Sequence, residues 1–76
     1  MAKIKCNNSN DIAVEFILNG GRADQIMVFA EHDREYWFSI GKFYKTVNGA
    51  KKAAVKAMSR FGYTFDEQEL KSLTIA

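Results

Sequence analysis

The stretch that decides the fold is Ile12-Ala13-Val14-Glu15-Phe16-Ile17-Leu18, followed at once by Asn19-Gly20-Gly21. Ile12, Val14, Phe16 and Leu18 share one parity; Ala13, Glu15 and Ile17 share the other. A period of two is that of a strand with one face in a core. Asn-Gly-Gly tolerates the positive φ that a tight reversal demands, so the strand is predicted to turn back as a hairpin. Residues 25–30 supply the return strand, with Ile26, Val28 and Ala30 opposed to Gln25, Met27 and Phe29. The run Glu31-His32-Asp33-Arg34-Glu35 reads as the tip of a second hairpin. Residues 36–43 form a third strand, whose aromatic content suits a pleated, half-covered surface. Tyr36, Phe38 and Ile40 are expected on the core side and Trp37, Ser39 and Phe43 on the other, with Gly41 marking a bulge.

The period changes at Thr46. Val47, Ala50, Ala54, Ala57, Met58 and Phe61 recur at helical spacing and predict a helix over residues 47–61. Thr46 is its N-cap, Gly62 its left-handed stop, and Arg60 suits the negative end of the helix dipole. The alanines let this helix lie close on a sheet. Upstream, Lys3-Ile4-Lys5-Cys6 fits a short strand, and Asn7-Asn8-Ser9-Asn10-Asp11 is a turn signal. Downstream, two readings compete. Asp66-Glu67-Gln68-Glu69 carries the capping pattern of a second helix. Residues 70–75 instead alternate, with Leu73 and Ile75 on one side, and end Thr74-Ile75. The shortness of the segment favours a closing strand. The expectation is a single α+β domain over residues 1–76: a three-stranded antiparallel sheet, one helix across it and a C-terminal strand, in the order βββαβ.

Seventy-six residues bury only about 60% of their unfolded surface, which leaves little material for both a core and a sheltered cleft. Hydrophobic residues make up 47% of the chain, enough for a globular fold, yet no apolar run is long enough to span a bilayer. The first residues lack the features of a signal peptide, and one cysteine, Cys6, excludes an internal disulfide. A cytoplasmic protein is expected. No catalytic constellation is visible. His32 is the sole imidazole, and a hairpin tip of carboxylates around it offers neither a metal cage nor a cleft. Cys6 has no base placed beside it by the sequence. Neither an enzyme, a cofactor nor a metal site is expected.

Charge is segregated. The stated net of +2 divides into −2 for residues 1–41, +6 for residues 42–60 and −2 for residues 61–76. The middle segment holds Lys42, Lys45, Lys51, Lys52, Lys56 and Arg60 without a single acid. Lys52, Lys56 and Arg60 lie four apart and stack on one helix face. A solvated face ordinarily mixes both signs; a cationic one displaces counterions from a polyanion. On the sheet, Ile17, Met27, Phe29 and Trp37 are expected to point away from the helix as an uncovered apolar patch, the usual mark of a partner surface. Candidate covers for that patch are a partner protein, a second copy of the chain, or the chain's own tail (residues 70–75) or N-terminal segment.

The junction Gly41-Lys42-Phe43-Tyr44-Lys45-Thr46, followed by Ala50, Ala53 and Ala54, resembles that of AP2-type and phage-integrase arm-binding domains. That resemblance implies a three-stranded sheet braced by one helix, with the sheet reading DNA. The face that would do so here carries Glu15, Ile17, Gln25, Met27, Phe29, Trp37 and Ser39 and no base, which argues against groove reading by the sheet. In size, architecture and segregated charge the chain also resembles small phage-encoded anti-defence proteins, including anti-CRISPR proteins. That resemblance implies a non-catalytic inhibitor, docked on a nucleic-acid-processing complex and blocking it sterically. Ile17, Met27, Phe29 and Trp37 would be its apolar anchors, and Lys52, Lys56 and Arg60 would meet carboxylates or bound phosphates. The alternative expectation is direct DNA or RNA binding through Lys42, Lys45, Lys51, Lys52, Lys56 and Arg60.

Overall fold

Residues 2–75 are described in the structure, a computed structural model, and their first half is one antiparallel meander. β1 (Ala2–Lys5), β2 (Ile12–Leu18), β3 (Ile26–His32) and β4 (Glu35–Ser39) pair in chain order. The second half is helical, with α1 (Val47–Ser59) and α2 (Glu67–Ser72). The class is α+β as expected, but the fourth strand sits at the N-terminal end. The C-terminal strand expected over residues 70–75 is instead the end of α2 and an irregular segment after it. Asp66 settles that local competition: its side chain accepts from the Glu69 backbone N–H, the capping interaction, at 2.9 Å. Leu70 on α2, and Leu73 and Ile75 in the irregular segment that leaves it, then pack against the core.

The alternation of β2 does what it predicts. Val14 opposes Ile4 and Ala30 on the helix side, and Phe16 opposes Ala2 and Val28. With Ile26, Ile40, Ala50, Ala54 and Met58 these form the core, closed at one end by Ile12 and Cys6. α1 packs chiefly on β3, and its Ala50, Ala54 and Met58 are fully buried. Thr46 caps α1 by accepting from the Gly49 N–H, and Gly62 takes φ 83° just beyond the helix. Val47 and Phe61, the two ends of the apolar stripe, overhang the core and are exposed.

The second hairpin differs from expectation in two ways. β3 continues through His32, so the reversal is only Asp33-Arg34, both at positive φ (53° and 70°). The bulge lies in β4 rather than at Gly41: Ala30 opposes Phe38 while Glu31 opposes Tyr36, which leaves Trp37 as the extra residue. One inserted residue changes the parity of everything before it. Tyr36 therefore lies on the sheet's outer face, and Trp37 turns toward the helix side, the reverse of the expected placement.

Gly41 has a different task. At φ 66° it swings the chain from β4 so that Tyr44 can exchange two 2.9 Å backbone hydrogen bonds with Ile26. A Cβ at Gly41 would collide with the Tyr44 hydroxyl and lie 3.0 Å from its ring carbon Cζ. Gly41→Ala is expected to destabilise the domain by about 1–2 kcal/mol through left-handed strain alone. The check is a lower urea midpoint with an unchanged denaturant slope.

Candidate nucleic-acid interface

α1 presents its cations outward because its alanine stripe faces the sheet. Lys52, Lys56 and Arg60 are exposed and, among the described residues, form no ion pair; the same holds for Lys42 and Lys45 in the segment joining β4 to α1. Lys51 is different. Its ammonium donates to the Leu73 carbonyl at 2.7 Å and the Lys71 carbonyl at 3.4 Å, where α2 ends. A cation at a helix C-terminus satisfies orphan carbonyls and the dipole together, so Lys51 anchors α2 on α1.

Lys56 and Arg60 overlook a groove of about 300 Å3 between α1 and the end of the sheet, floored by Phe38, Ile40, Tyr44 and Ala57. On the other side of the ridge, Lys51, Lys52 and Lys56 rim a shallower apolar groove over Val55 and Leu70. At the C-terminal end of α1 three rings meet. Trp37 lies 4.9 Å from Phe38, edge to face, and 4.9 Å from Phe61, while Phe38 is 5.7 Å from Phe61. Trp37 is 43% and Phe61 52% exposed, so two of these rings face solvent beside Arg60. The chain after Phe61 is held by the β1–β2 turn. Asn8 Nδ2 donates to the Gly62 carbonyl at 2.8 Å, the Thr64 N–H donates to Asn8 Oδ1 at 3.1 Å, and the Asn7 N–H donates to the Thr64 carbonyl at 2.9 Å.

The outer sheet face keeps three of its four expected anchors together. Ile17 opposes Met27, and Phe29 follows one step along β3; all three are half-buried. Tyr36 takes the place expected for Trp37, stacking on Phe29 at 4.9 Å with rings 24° apart. Its hydroxyl donates to the Glu15 carboxylate, which is only 4% exposed. Beside it Lys3, paired with Glu15 on β2, reaches diagonally across that strand to Glu31 at 3.0 Å.

The bond to Glu15, reinforced by desolvation and by the negative charge of Glu15 and Glu31, pushes the Tyr36 phenol from 10.0 up to about 12. A raised folded-state value means that this stabilisation is complete below pH 10 and is lost as pH climbs through about 12. Absorbance titration at alkaline pH is expected to show one tyrosine ionising late. Tyr36→Phe is expected to abolish that late step and to flatten the fall in stability over the same window.

The polar groups considered for chemistry are dispersed in kind. His32 Nε2 is 3.5 Å from Asp11 at an exposed strand end. Cys6 is buried in the core, and burial pushes its thiol upward, opposite to what an attacking thiolate needs. Among the described residues no three His, Cys, Asp or Glu side chains converge as a metal site, and no helix is long and apolar enough to cross a membrane.

Phe61 and Tyr36, like Val47 and Trp37, are surface residues that the sequence placed wrongly. Phe61 continued a buried stripe, and only its place as the stripe's last member, next to Arg60 and the Gly62 stop, signalled exposure. Tyr36 had no local signal, because its face depends on a bulge downstream. Comparison with known proteins adds no relative: no family model, no curated protein and no solved structure matches the chain.

Proposed function

We propose that this domain is a non-catalytic binding module that engages nucleic acid through the cationic flank of α1, with Lys52, Lys56 and Arg60 contacting phosphates and Lys42 and Lys45 extending the field. The observation that carries this reading is the combination of five exposed cations, none of them ion-paired among the described residues, with the absence of any acid between residues 42 and 60. Such a field draws a polyanion in and gains free energy from released counterions. Fluorescence anisotropy of labelled oligonucleotides across a salt series tests it. Binding that weakens steeply with salt is expected; no complex with either single strands or duplex at low salt would sink the reading.

A second reading is favoured by the half-open face of Ile17, Met27, Phe29 and Tyr36. That patch suits a protein partner, and the module would then sit on a nucleic-acid-handling complex as a steric inhibitor, with the cations meeting bound strands. The two surfaces lie on opposite sides of the sheet, so both can be engaged in one assembly.

A further inference from the structure

The rings at the end of α1 sharpen the choice of ligand. Resting on the nucleic-acid reading above, we infer that Trp37 and Phe61 form a stacking platform for unpaired bases, so that the ligand is single-stranded. Both rings are roughly half exposed, and each touches the other and Phe38, which is seated in the core edge. They are therefore held in place before any ligand arrives. The β4 bulge fixes Trp37, and the Asn7 and Asn8 bonds to the chain after Phe61 fix the other ring.

Charge complementarity names the occupant. Lys56 and Arg60 line one groove with Phe38, the ring that touches both Trp37 and Phe61, so the ring cluster adjoins two phosphate contacts. A purely apolar partner would leave these cations without counter-charge. A duplex would satisfy them but would keep its bases stacked on one another, out of reach of the rings. A single strand uses both: its phosphates follow the ridge while its unstacked bases meet the rings, a combination that tolerates any sequence. The groove beside Lys56 and Arg60 gives the strand a path away from the platform toward Tyr44.

Trp37 is the only tryptophan in the chain, so its emission reports directly on the platform. The experiment titrates the protein at low salt with a thymidine dodecamer and with a hairpin duplex of equal phosphate number, following both tryptophan emission and anisotropy. Quenching by the dodecamer, with binding about tenfold tighter than to the duplex, is expected. Trp37→Ala and Phe61→Ala are each expected to weaken single-strand binding about tenfold, the loss of one base stack, with duplex binding unchanged. Equal, salt-sensitive binding of both ligands with unchanged emission would overturn the platform and leave the phosphate ridge standing. Binding of neither ligand would overturn both readings and return Trp37 and Phe61 to a protein partner. The emission test uses the unaltered chain, so it decides the question even if a ring variant fails to fold.

Discussion

Reversing Lys52, Lys56 and Arg60 to Glu together is expected to abolish oligonucleotide binding while leaving the circular dichroism spectrum of the fold unchanged. All three side chains are exposed and make no ion pair with a described residue, so their reversal removes no internal contact. Three lost phosphate contacts and three new repulsions act on the same ridge. For a single strand, three to five neutralised phosphates give a slope of log K against log salt of about −2 to −3.5. The unaltered protein is expected to fall in that range, and the triple variant to lose at least about a hundredfold in affinity at low salt. Lys51 is kept out of the reversal because it holds the α2 terminus, where Glu would repel two carbonyls and unseat the helix. An unaltered affinity in the triple variant would remove α1 from the interface.

Phe16→Ala is expected to have the largest effect on stability. Phe16 is completely buried on a strand with neighbours on both sides, opposite Ala2 of β1 and Val28 of β3. Ala2 and the buried Ala50 and Ala54 of α1 are too small to refill the space. A buried Phe→Ala exchange costs about 3–5 kcal/mol in lost transfer energy and residual cavity. A domain of 76 residues has a total stability of only about 4–11 kcal/mol. Urea unfolding is expected to show the midpoint reduced by about a quarter at the least and by about half at mid-range, with a fraction of the chain unfolded near physiological temperature. A loss below about 1 kcal/mol would mean that the core under α1 is not the single cluster described.

These two expectations draw on different parts of what the chain encodes. The buried half was legible: period two in residues 12–18 and 25–30, period 3.6 from Val47, and the Thr46 and Gly62 boundary residues all act within a few positions of themselves. The charge segregation was legible for the same reason, since the absence of acids over 42–60 needs no geometry. The ring platform was not. It required knowing that Trp37 and Phe61, 24 positions apart, meet at one end of the molecule.

By itself the sequence determined the three central strands, the capped α1 helix, the residues of the core face and the cationic ridge, because each follows from local periodicity, turn chemistry or composition. Tertiary structure alone decided three further matters. β1 pairs with β2 because that strand offers an open row of hydrogen-bonding groups on its other side. The final segment docks on α1 because Lys51, twenty residues before Lys71 in the chain, receives the carbonyls at its end. Trp37 and Tyr36 exchange faces because strand parity counts only up to the nearest bulge, and a bulge's position is fixed by hydrogen-bond register with the partner strand.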